Sequence, residues 1–260
     1  MTAFDLVGSR ERAVALVEIP ESADEKAIAE RIMKQNKNVK SVLKRISERS
    51  GELRLEKYEL IAGDKNTEVV HREHGFMIKL DPQKVYFSPR EATERQRIAE
   101  QVKANETVLV MFSGVAPYAL AIAKRQAAVE RIYCIEKNAD AHKYAEENVR
   151  MNKFSHKISL LCGDAKEEAK EFLGKCDRVL MPLPFGAGEF LETAFSCLKP
   201  TGGIVHFYSV GKLDNLYSEA ESIIEKIAKK LNKKFKVLWE RKVSQYAPGK
   251  WKICIDFQVV

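Results

Sequence analysis

Apolar positions follow two different patterns along the chain. From residue 99 onward, short apolar runs of strand type alternate with longer stretches in which apolar residues recur at helical spacing. The strand-type runs span 108–112, 131–136, 158–164, 177–183, 203–210, 235–244 and 252–260. The helix-type stretches span 118–129, 139–153, 165–173, 188–198 and 216–234. This alternation predicts a mostly parallel sheet with helices on both faces. The last two runs predict an antiparallel hairpin, because only turn residues separate them.

The first 98 residues lack this alternation. They show an apolar run at 13–19, a helix-type stretch at 24–35 and short strand-type runs within 52–82. Such a mixture is typical of a small α+β unit. We therefore predict two domains, a small α+β domain over residues 1–98 and an α/β, Rossmann-like domain over residues 99–260.

The composition is that of an ordinary globular protein. Of the 260 residues, 45% are hydrophobic and 31% are charged, and no apolar run reaches the roughly 18 residues that a membrane-spanning helix needs. The N-terminus lacks the basic-then-apolar order of a signal peptide, so we expect a soluble, cytoplasmic protein. The five cysteines are scattered and form no C-x-x-C pair, so we expect neither a disulfide framework nor a metal site.

Positive charge is concentrated in one segment. Lys and Arg number 44 against 37 Asp and Glu, and the net charge of +7 permits a polyanionic partner. Between Lys34 and Lys57, eight basic residues stand against three glutamates. Such a segment is consistent both with a solvated surface and with a binding surface for a polyanion.

Four successive strand ends carry residues that suit a nucleoside cofactor. Gly114 follows the first strand of the α/β domain, in the turn where an open sheet of this type binds its ligand. The next strand ends at Glu136, placed to accept hydrogen bonds from both hydroxyls of a ribose. The third ends at Asp164, which suits the exocyclic amine of adenine, and the fourth ends in the proline-rich loop 181–184. This layout resembles that of the S-adenosylmethionine methyltransferases. It differs from that of a dinucleotide-binding enzyme, which needs a G-x-G-x-x-G turn where this chain has only Gly114.

Motifs along nearly the whole chain resemble one family. The stretch VYFSPR at 85–90, followed by ATER at 92–95, resembles the archaeal and eukaryotic tRNA (guanine-N1) methyltransferases that modify position 37, next to the anticodon. The resemblance continues through MFSGVAP at 111–117, EKNAD at 136–140 and the loop 181–184. It implies a class I methyltransferase fold, with S-adenosylmethionine as the cofactor and the anticodon stem-loop of tRNA as the partner.

The resemblance also implies the site residues. Glu94 would remove the N1 proton of guanine, Arg54 would stabilise the charge that develops on O6, and Tyr86 would complete the guanine pocket. Pro184 is assigned to this catalytic set because it would form part of the apolar surroundings of Glu94. The predicted cofactor-binding residues are Phe112, Gly114, Val115, Glu136, Lys137, Asp164 and Pro182. The predicted RNA-binding residues are Lys40, Lys44, Arg45 and Arg90.

Two departures from the family pattern leave alternatives open. Val110 stands where the family usually has aspartate, and Pro182 stands where it usually has asparagine. These losses raise the alternative of a catalytically inactive RNA-binding homologue. The paralogous enzymes of wybutosine biosynthesis, which transfer the aminocarboxypropyl group of the same cofactor, are built alike and form the second alternative. Residue types alone do not separate the two transfers.

Overall fold

The N-terminal part of the chain is built around a four-stranded sheet. The computed structural model describes residues 4–20, 22–47 and 56–260. The N-terminal elements are β1 (Phe4–Gly8), β2 (Ala13–Val17), α1 (Glu25–Gln35), β3 (Val39–Arg45), β4 (Tyr58–Gly63), β5 (Val69–Glu73) and β6 (Phe76–Leu80). Strands β1 to β4 form the sheet in chain order, with β2 and β3 parallel, and β5 pairs with β6 as an antiparallel hairpin.

Helix α1 covers one face of this sheet. The Asp24 side chain caps its first turn by accepting a hydrogen bond from the backbone of Ala27 at 3.0 Å. Ala29 and Ile32 then face inward and pack with Val42 of β3. All five residues of β2 are buried, as expected for the continuous apolar run AVALV.

The C-terminal part contains the larger sheet. Its strands are β7 (Thr107–Met111), β8 (Arg131–Glu136), β9 (Ile158–Cys162), β10 (Arg178–Met181), β11 (Gly203–Lys212), β12 (Phe235–Ala247) and β13 (Lys250–Val259). The helices are α2 (Ala92–Gln101), α3 (Pro117–Arg125), α4 (Ala139–Met151), α5 (Ala165–Glu168), α6 (Leu191–Cys197) and α7 (Ser218–Lys230). Short 3-10 turns at Pro89–Glu91, Ala169–Phe172 and Ala187–Phe190 adjoin α2, α5 and α6.

The strand order of the larger sheet creates a ligand crevice. Its seven strands lie in the order β12-β13-β11-β10-β7-β8-β9. The five adjacent strands β11, β10, β7, β8 and β9 are parallel, and β13 is antiparallel to both of its neighbours. The chain moves outward from β7 to β9 and then returns to the other side of β7 at β10. An open sheet binds its ligand at the carboxyl ends of the strands where the order reverses, which here means the ends of β7 and β10.

One apolar cluster joins the two parts of the chain. It contains Leu43 and Phe76 from the N-terminal part together with Val108 and Val110 from the C-terminal part. Helix α2 is continuous through residue 98, where the sequence pattern places the boundary. The division into domains at that residue stays a prediction.

The structure confirms the predicted fold class, a mostly parallel α/β sheet that ends in an antiparallel hairpin after a small α+β part. The observed bounds differ at some ends. The run at 177–183 forms a strand only as far as Met181, and strand β1 was not predicted from the sequence. Among the helices of the described residues, none combines the length and the apolar character required to cross a membrane.

Candidate active site

A cavity of about 380 Å³ opens at the carboxyl ends of the parallel strands. Its walls come mainly from four strand ends and from two tyrosines, Tyr86 before α2 and Tyr246 of β12. The strand-end residues are Phe112 and Gly114 after β7, 135–138 at the end of β8, 163–165 after β9 and 182–186 after β10. The remaining lining residues are Ala141 of α4 and Glu189 and Phe190 before α6. The cavity therefore lies at the reversal of strand order.

The turn from β7 to α3 is conformationally unusual. Phe112, Gly114 and Ala116 have φ angles of 55°, 55° and 65°, in the left-handed region that favours glycine. Two non-glycine residues in that region carry a backbone cost of about 1–3 kcal/mol each, and strain of this kind clusters at functional sites. The turn presents the Gly114 N–H toward the cavity wall, where it donates to Glu136 Oε2 at 2.7 Å.

Glu136 is fixed by the backbone on both of its carboxylate oxygens. Gly114 N–H donates to Oε2, and Asn138 N–H donates to Oε1 at 2.7 Å. Burial raises the pKa of this carboxyl, and the backbone N–H groups oppose that rise. The Lys137 N–H is a third backbone donor to this carboxylate. Because a carboxylate has about four acceptor positions, a position remains for a hydroxyl donor such as that of a ribose.

Asp164 lies at the next strand end, after β9, and contacts Lys137, which directly follows β8. Asp164 caps α5 by accepting from the Lys166 backbone at 2.9 Å, and Lys137 Nζ lies 3.1 Å from its Oδ2. The Lys166 N–H and the Lys137 ammonium hold the pKa of Asp164 below its ordinary value. Asp164 is therefore an anionic acceptor at the cavity edge, and Lys137 neutralises part of its charge.

Aromatic side chains form much of the remaining wall. Phe112 meets Phe190 edge to face with ring centroids 4.8 Å apart, and Phe185 meets Tyr246 at 4.8 Å. A largely apolar wall with a few fixed polar groups suits a flat heterocyclic ligand. The sequence analysis missed Asn138, Phe190 and Phe185. Asn138 had a usable signal, because an asparagine directly before a helix-type stretch is a common N-cap, and it does cap α4.

The predicted cofactor residues are almost all found in this cavity. Phe112, Gly114, Glu136, Lys137, Asp164 and Pro182 line it. Val115 does not line it, because its side chain is fully buried in the core behind the turn. Of the predicted catalytic residues, Tyr86 and Pro184 line the cavity, whereas Arg54 lies outside the described residues.

Glu94 is buried close to the site but does not line the cavity. Arg97 donates to both carboxylate oxygens of Glu94, at 2.9 and 2.7 Å, and the Tyr208 hydroxyl donates to Oε1 at 2.6 Å. Arg97 also contacts Asp256 of β13, so one guanidinium is shared by two carboxylates. The i, i+3 spacing of Glu94 and Arg97 suggests a solvated pair, but the structure buries this one.

The predicted RNA-binding residues lie on the N-terminal part and make intramolecular contacts. Lys40 Nζ donates to the Lys37 carbonyl at 3.0 Å, Lys44 pairs with Glu25, and Arg45 pairs with Glu18. Arg90, with 61% of its side chain exposed, lies 2.6 Å from Asp5. A pair as exposed as that of Arg90 contributes only about 0–1 kcal/mol, so a phosphate can replace its carboxylate, whereas the Lys44 side chain is only 18% exposed. RNA binding by these residues stays a prediction.

The fold and the site together define a class I, S-adenosylmethionine-dependent methyltransferase: the sheet has an antiparallel last strand, and an acidic residue ends its second parallel strand beside a glycine turn. The family model described as "TRM5/TYW2 methyltransferase domain" matches residues 69–238. The chain belongs to this family.

Characterised relatives share most of the chain. A tRNA (guanine(37)-N(1))-methyltransferase, Trm5b, from Pyrococcus abyssi is 40% identical over 260 residues, covering 99% of this chain and 75% of the relative. A tRNA(Phe) (4-demethylwyosine(37)-C(7)) aminocarboxypropyltransferase from Methanocaldococcus jannaschii is 31% identical and covers 86% and 88% of the two chains. The solved complex of aTrm5 and tRNALeu has a TM-score of 0.84 at 33% identity and covers 98% of this chain and 71% of that chain.

Proposed function

We infer that this protein transfers the methyl group of S-adenosylmethionine to N1 of guanine at position 37 of tRNA. The observation that carries the inference is the single cavity in which the glycine turn and Glu136 face Tyr86 and Pro184. Such a cavity holds a nucleoside cofactor against a second flat ligand. Similarity to a tRNA (guanine(37)-N(1))-methyltransferase at 40% identity over nearly the whole chain supports guanine as that ligand.

The residues present fit the cofactor. Glu136 would accept from the ribose hydroxyls, and Asp164 would accept from the adenine amine. The backbone turn at Gly114 would approach the methionine part. When bound, S-adenosylmethionine supplies a methyl group on a positively charged sulfur. The protein's own contribution is alignment, which lowers the barrier of a direct displacement.

The target nitrogen needs a base, because guanine N1 carries a proton at neutral pH. We assign that role to Glu94, as the sequence predicts. Arg97 contacts Asp256 as well as Glu94. Arg97 therefore keeps an anionic partner when Glu94 accepts the proton, so no buried cation is left unpaired. Tyr208 holds Oε1, which leaves Glu94 in a fixed orientation.

Arg54 completes the proposal from outside the described residues. A guanidinium near O6 of the base would stabilise the negative charge that develops there as N1 loses its proton. Binding of the tRNA anticodon stem-loop by the basic segment belongs to the same proposal, as does a cytoplasmic location. The aTrm5 complex with tRNALeu supports tRNA as the partner.

Transfer of the aminocarboxypropyl group is the second candidate. It rests on the 31% identity to the Methanocaldococcus jannaschii enzyme, which is lower and covers less of this chain than the match to Trm5b. The Val110 and Pro182 departures bear on the third reading, an inactive homologue. Val110 is buried in the sheet core and Pro182 lines the cavity, so of these two departures only the one at Pro182 changes a side chain on the cavity wall.

Labelled cofactor separates the three readings. Unmodified tRNA would be incubated with the protein and S-adenosylmethionine that carries one isotope in the methyl group and another in the aminocarboxypropyl chain. Methyl transfer places only the first label in the tRNA, and aminocarboxypropyl transfer places only the second. No label in the tRNA, together with no cofactor binding by calorimetry, would support the inactive homologue.

A further inference from the structure

A buried ion pair joins the segment before α2 to the C-terminal hairpin. Glu91 ends the 3-10 turn Pro89–Glu91, and Lys252 lies in β13, 161 residues farther along the chain. Lys252 Nζ lies 2.8 and 2.9 Å from the two carboxylate oxygens of Glu91. Only 4% of the Lys252 side chain and 6% of the Glu91 side chain are exposed.

The pair lies between the cavity wall and Glu94. On one side, the hydroxyl of Tyr86, which lines the cavity, donates to Glu91 Oε1 at 3.4 Å. On the other side, Lys252 Nζ lies 5.0 Å from the ring centroid of Tyr208, whose hydroxyl holds Glu94. The Glu91–Lys252 pair therefore touches both a wall of the cavity and the residue that orients the proposed base.

Stability alone gives a weak reason for such a pair. Removing an ammonium and a carboxylate from water costs several kcal/mol each, and well-packed apolar replacements of buried pairs are often neutral or stabilising. What the charges provide here is geometry. An ionised carboxylate is a stronger acceptor for a hydroxyl than a neutral group. The Lys252 ammonium pairs with both oxygens of Glu91 and attaches this residue to the hairpin.

We propose that Glu91 and Lys252 form a positioning pair that fixes Tyr86 against the target base. Glu91 accepts the Tyr86 hydroxyl bond and so sets the ring orientation at the cavity wall. The bond of 3.4 Å is long, and hydrogen bonds of this kind often shorten only in the complex with substrate. Lys252 ties this arrangement to the hairpin that also carries Tyr246 on the cavity lining. The proposal rests on the proposed function, in which Tyr86 contacts the guanine.

Two charge-neutral double variants test this role. Glu91→Gln with Lys252→Met keeps an acceptor for the Tyr86 hydroxyl, whereas Glu91→Leu with Lys252→Met removes it. Neither leaves a buried charge unpaired. Each is combined with Tyr86→Phe, and the single-turnover rate of methyl transfer to tRNA is measured over a range of pH. Thermal unfolding and calorimetric binding of S-adenosylmethionine report whether each variant is folded.

A matched control uses another buried pair on the same helix region. Arg95 and Glu73 are as buried as Glu91 and Lys252, with side-chain exposures of 2% and 3%, and neither lines the cavity. In the double variant Glu73→Gln with Arg95→Met, Tyr86→Phe is expected to slow transfer by the same factor as in the unmodified protein. This control separates the loss of a buried pair from the loss of the Tyr86 contact.

The expected result is non-additivity. The Leu/Met variant loses about tenfold in rate, the size of one hydrogen bond to a charged group, and Tyr86→Phe causes no further loss in it. The Gln/Met variant keeps most of the rate, and Tyr86→Phe slows it. A Tyr86→Phe effect of equal size in both backgrounds would overturn the positioning role. So would loss of the acidic limb of the pH–rate profile in the Gln/Met variant, which would make Glu91 itself the proton acceptor. An unmodified protein with no transfer activity would overturn the proposed function and this inference together.

Discussion

The carboxylates around the cavity are held by chemically different partners. Backbone N–H groups fix Glu136, a buried ammonium holds Glu91, and a shared guanidinium holds Glu94. Backbone donors leave the Glu136 carboxylate with acceptor positions facing the cavity, which suits a binding role. A guanidinium that has a second carboxylate partner tolerates protonation of Glu94, which suits a role in proton transfer.

Replacing Glu136 should weaken cofactor binding. Glu136→Ala removes the acceptor for the ribose hydroxyls and also frees the Gly114 N–H, so affinity for S-adenosylmethionine should fall about tenfold or more. Calorimetric titration measures the change. Glu130→Ala serves as the control, because this exposed glutamate directly precedes the other end of β8 and should leave affinity unchanged. Unaltered affinity in Glu136→Ala would move the ribose to another part of the cavity.

Replacing Glu94 should slow the chemical step. Glu94→Gln keeps the size of the side chain but cannot take the N1 proton, so the single-turnover rate should fall by about 10² to 10⁴, with binding of tRNA and cofactor preserved. Glu106→Gln is the control, because Glu106 forms an equally short pair with Arg178 but directly precedes β7, at the sheet edge opposite the cavity. A Glu94→Gln protein as fast as the unmodified one would assign the proton to solvent or to another residue.

At the scale of elements, the sequence predicts best those features that depend on the local pattern of a strand and on the parallel arrangement of the sheet. The run at 131–136 becomes β8 with the same bounds, and Gly114, Glu136 and Asp164 lie together because parallel strands place their carboxyl ends at one edge. Strand β1 escaped prediction, because an edge strand depends on its pairing with β2.

Contacts between distant segments were beyond the sequence pattern. Tyr246 is placed at the cavity by the C-terminal hairpin, and the Glu94–Arg97 pair is buried where α2 meets Asp256 of β13. Local spacing at 94–97 gives the same i, i+3 pattern for a solvated pair and for a buried one. Tertiary packing decides whether the Glu94–Arg97 pair is buried, and the local spacing of the two residues does not reveal that packing.

The basic segment of the N-terminal part should contribute to tRNA affinity. Neutralising Lys40, Lys44 and Arg45 together should weaken binding, and each lost phosphate contact should lower the slope of log K against log salt by about 0.7 to 0.9. Binding measured at several salt concentrations gives the slope, and cofactor affinity should stay unchanged.

A second basic segment supplies the control for that measurement. Lys233 and Lys234 lie between α7 and β12, and Lys236 is the second residue of β12. All three are exposed, so their neutralisation removes the same charge from another surface. The slope should change little in this variant. A lower slope here, together with an unchanged slope for the first triple, would place the RNA along β12 instead.

At the scale of the whole molecule, a buried network of charges crosses the larger sheet. Arg178 of β10 donates to His206 Nε2 at 2.7 Å, and because arginine cannot accept, His206 carries its proton on Nδ1 and donates it to Asp256 at 2.6 Å. Arg97 binds Asp256 from helix α2 and connects the network to Glu94. Folding thus buries a neutral imidazole beside an ionised carboxylate and two guanidinium groups.

This network should make the free energy of unfolding depend on pH. Burial lowers the pKa of His206 below its ordinary 6.5, and Arg178 and Arg97 act in the same direction, against Asp256. Below pH 6.5, His206 therefore binds a proton in the unfolded chain but stays neutral in the folded chain. Stability is therefore fully present above pH 6.5 and falls below it, by up to about 1.4 kcal/mol per pH unit.

Chemical denaturation between pH 7.5 and 5 measures the effect of His206. His206→Asn should reduce the loss of stability below pH 6.5 while keeping a donor for Asp256, and the exposed His156→Asn should leave that loss unchanged. Part of the loss should remain in His206→Asn, because burial also lowers the pKa of His71. The pKa of Asp256, held down by His206 and Arg97, adds a further loss of stability only below its ordinary 3.8. A loss of unchanged size in His206→Asn would place its origin elsewhere.

The central claim, methyl transfer to guanine N1 at position 37, is tested most directly by identifying the modified nucleoside. A tRNA transcript with guanine at position 37 and a matched transcript with adenine there would each be incubated with the protein and S-adenosylmethionine, digested to nucleosides and analysed by mass spectrometry against authentic standards. The account predicts 1-methylguanosine from the first transcript and no modified nucleoside from the second. A guanosine that carries the aminocarboxypropyl group, or a methylated nucleoside from the adenine transcript, would contradict it.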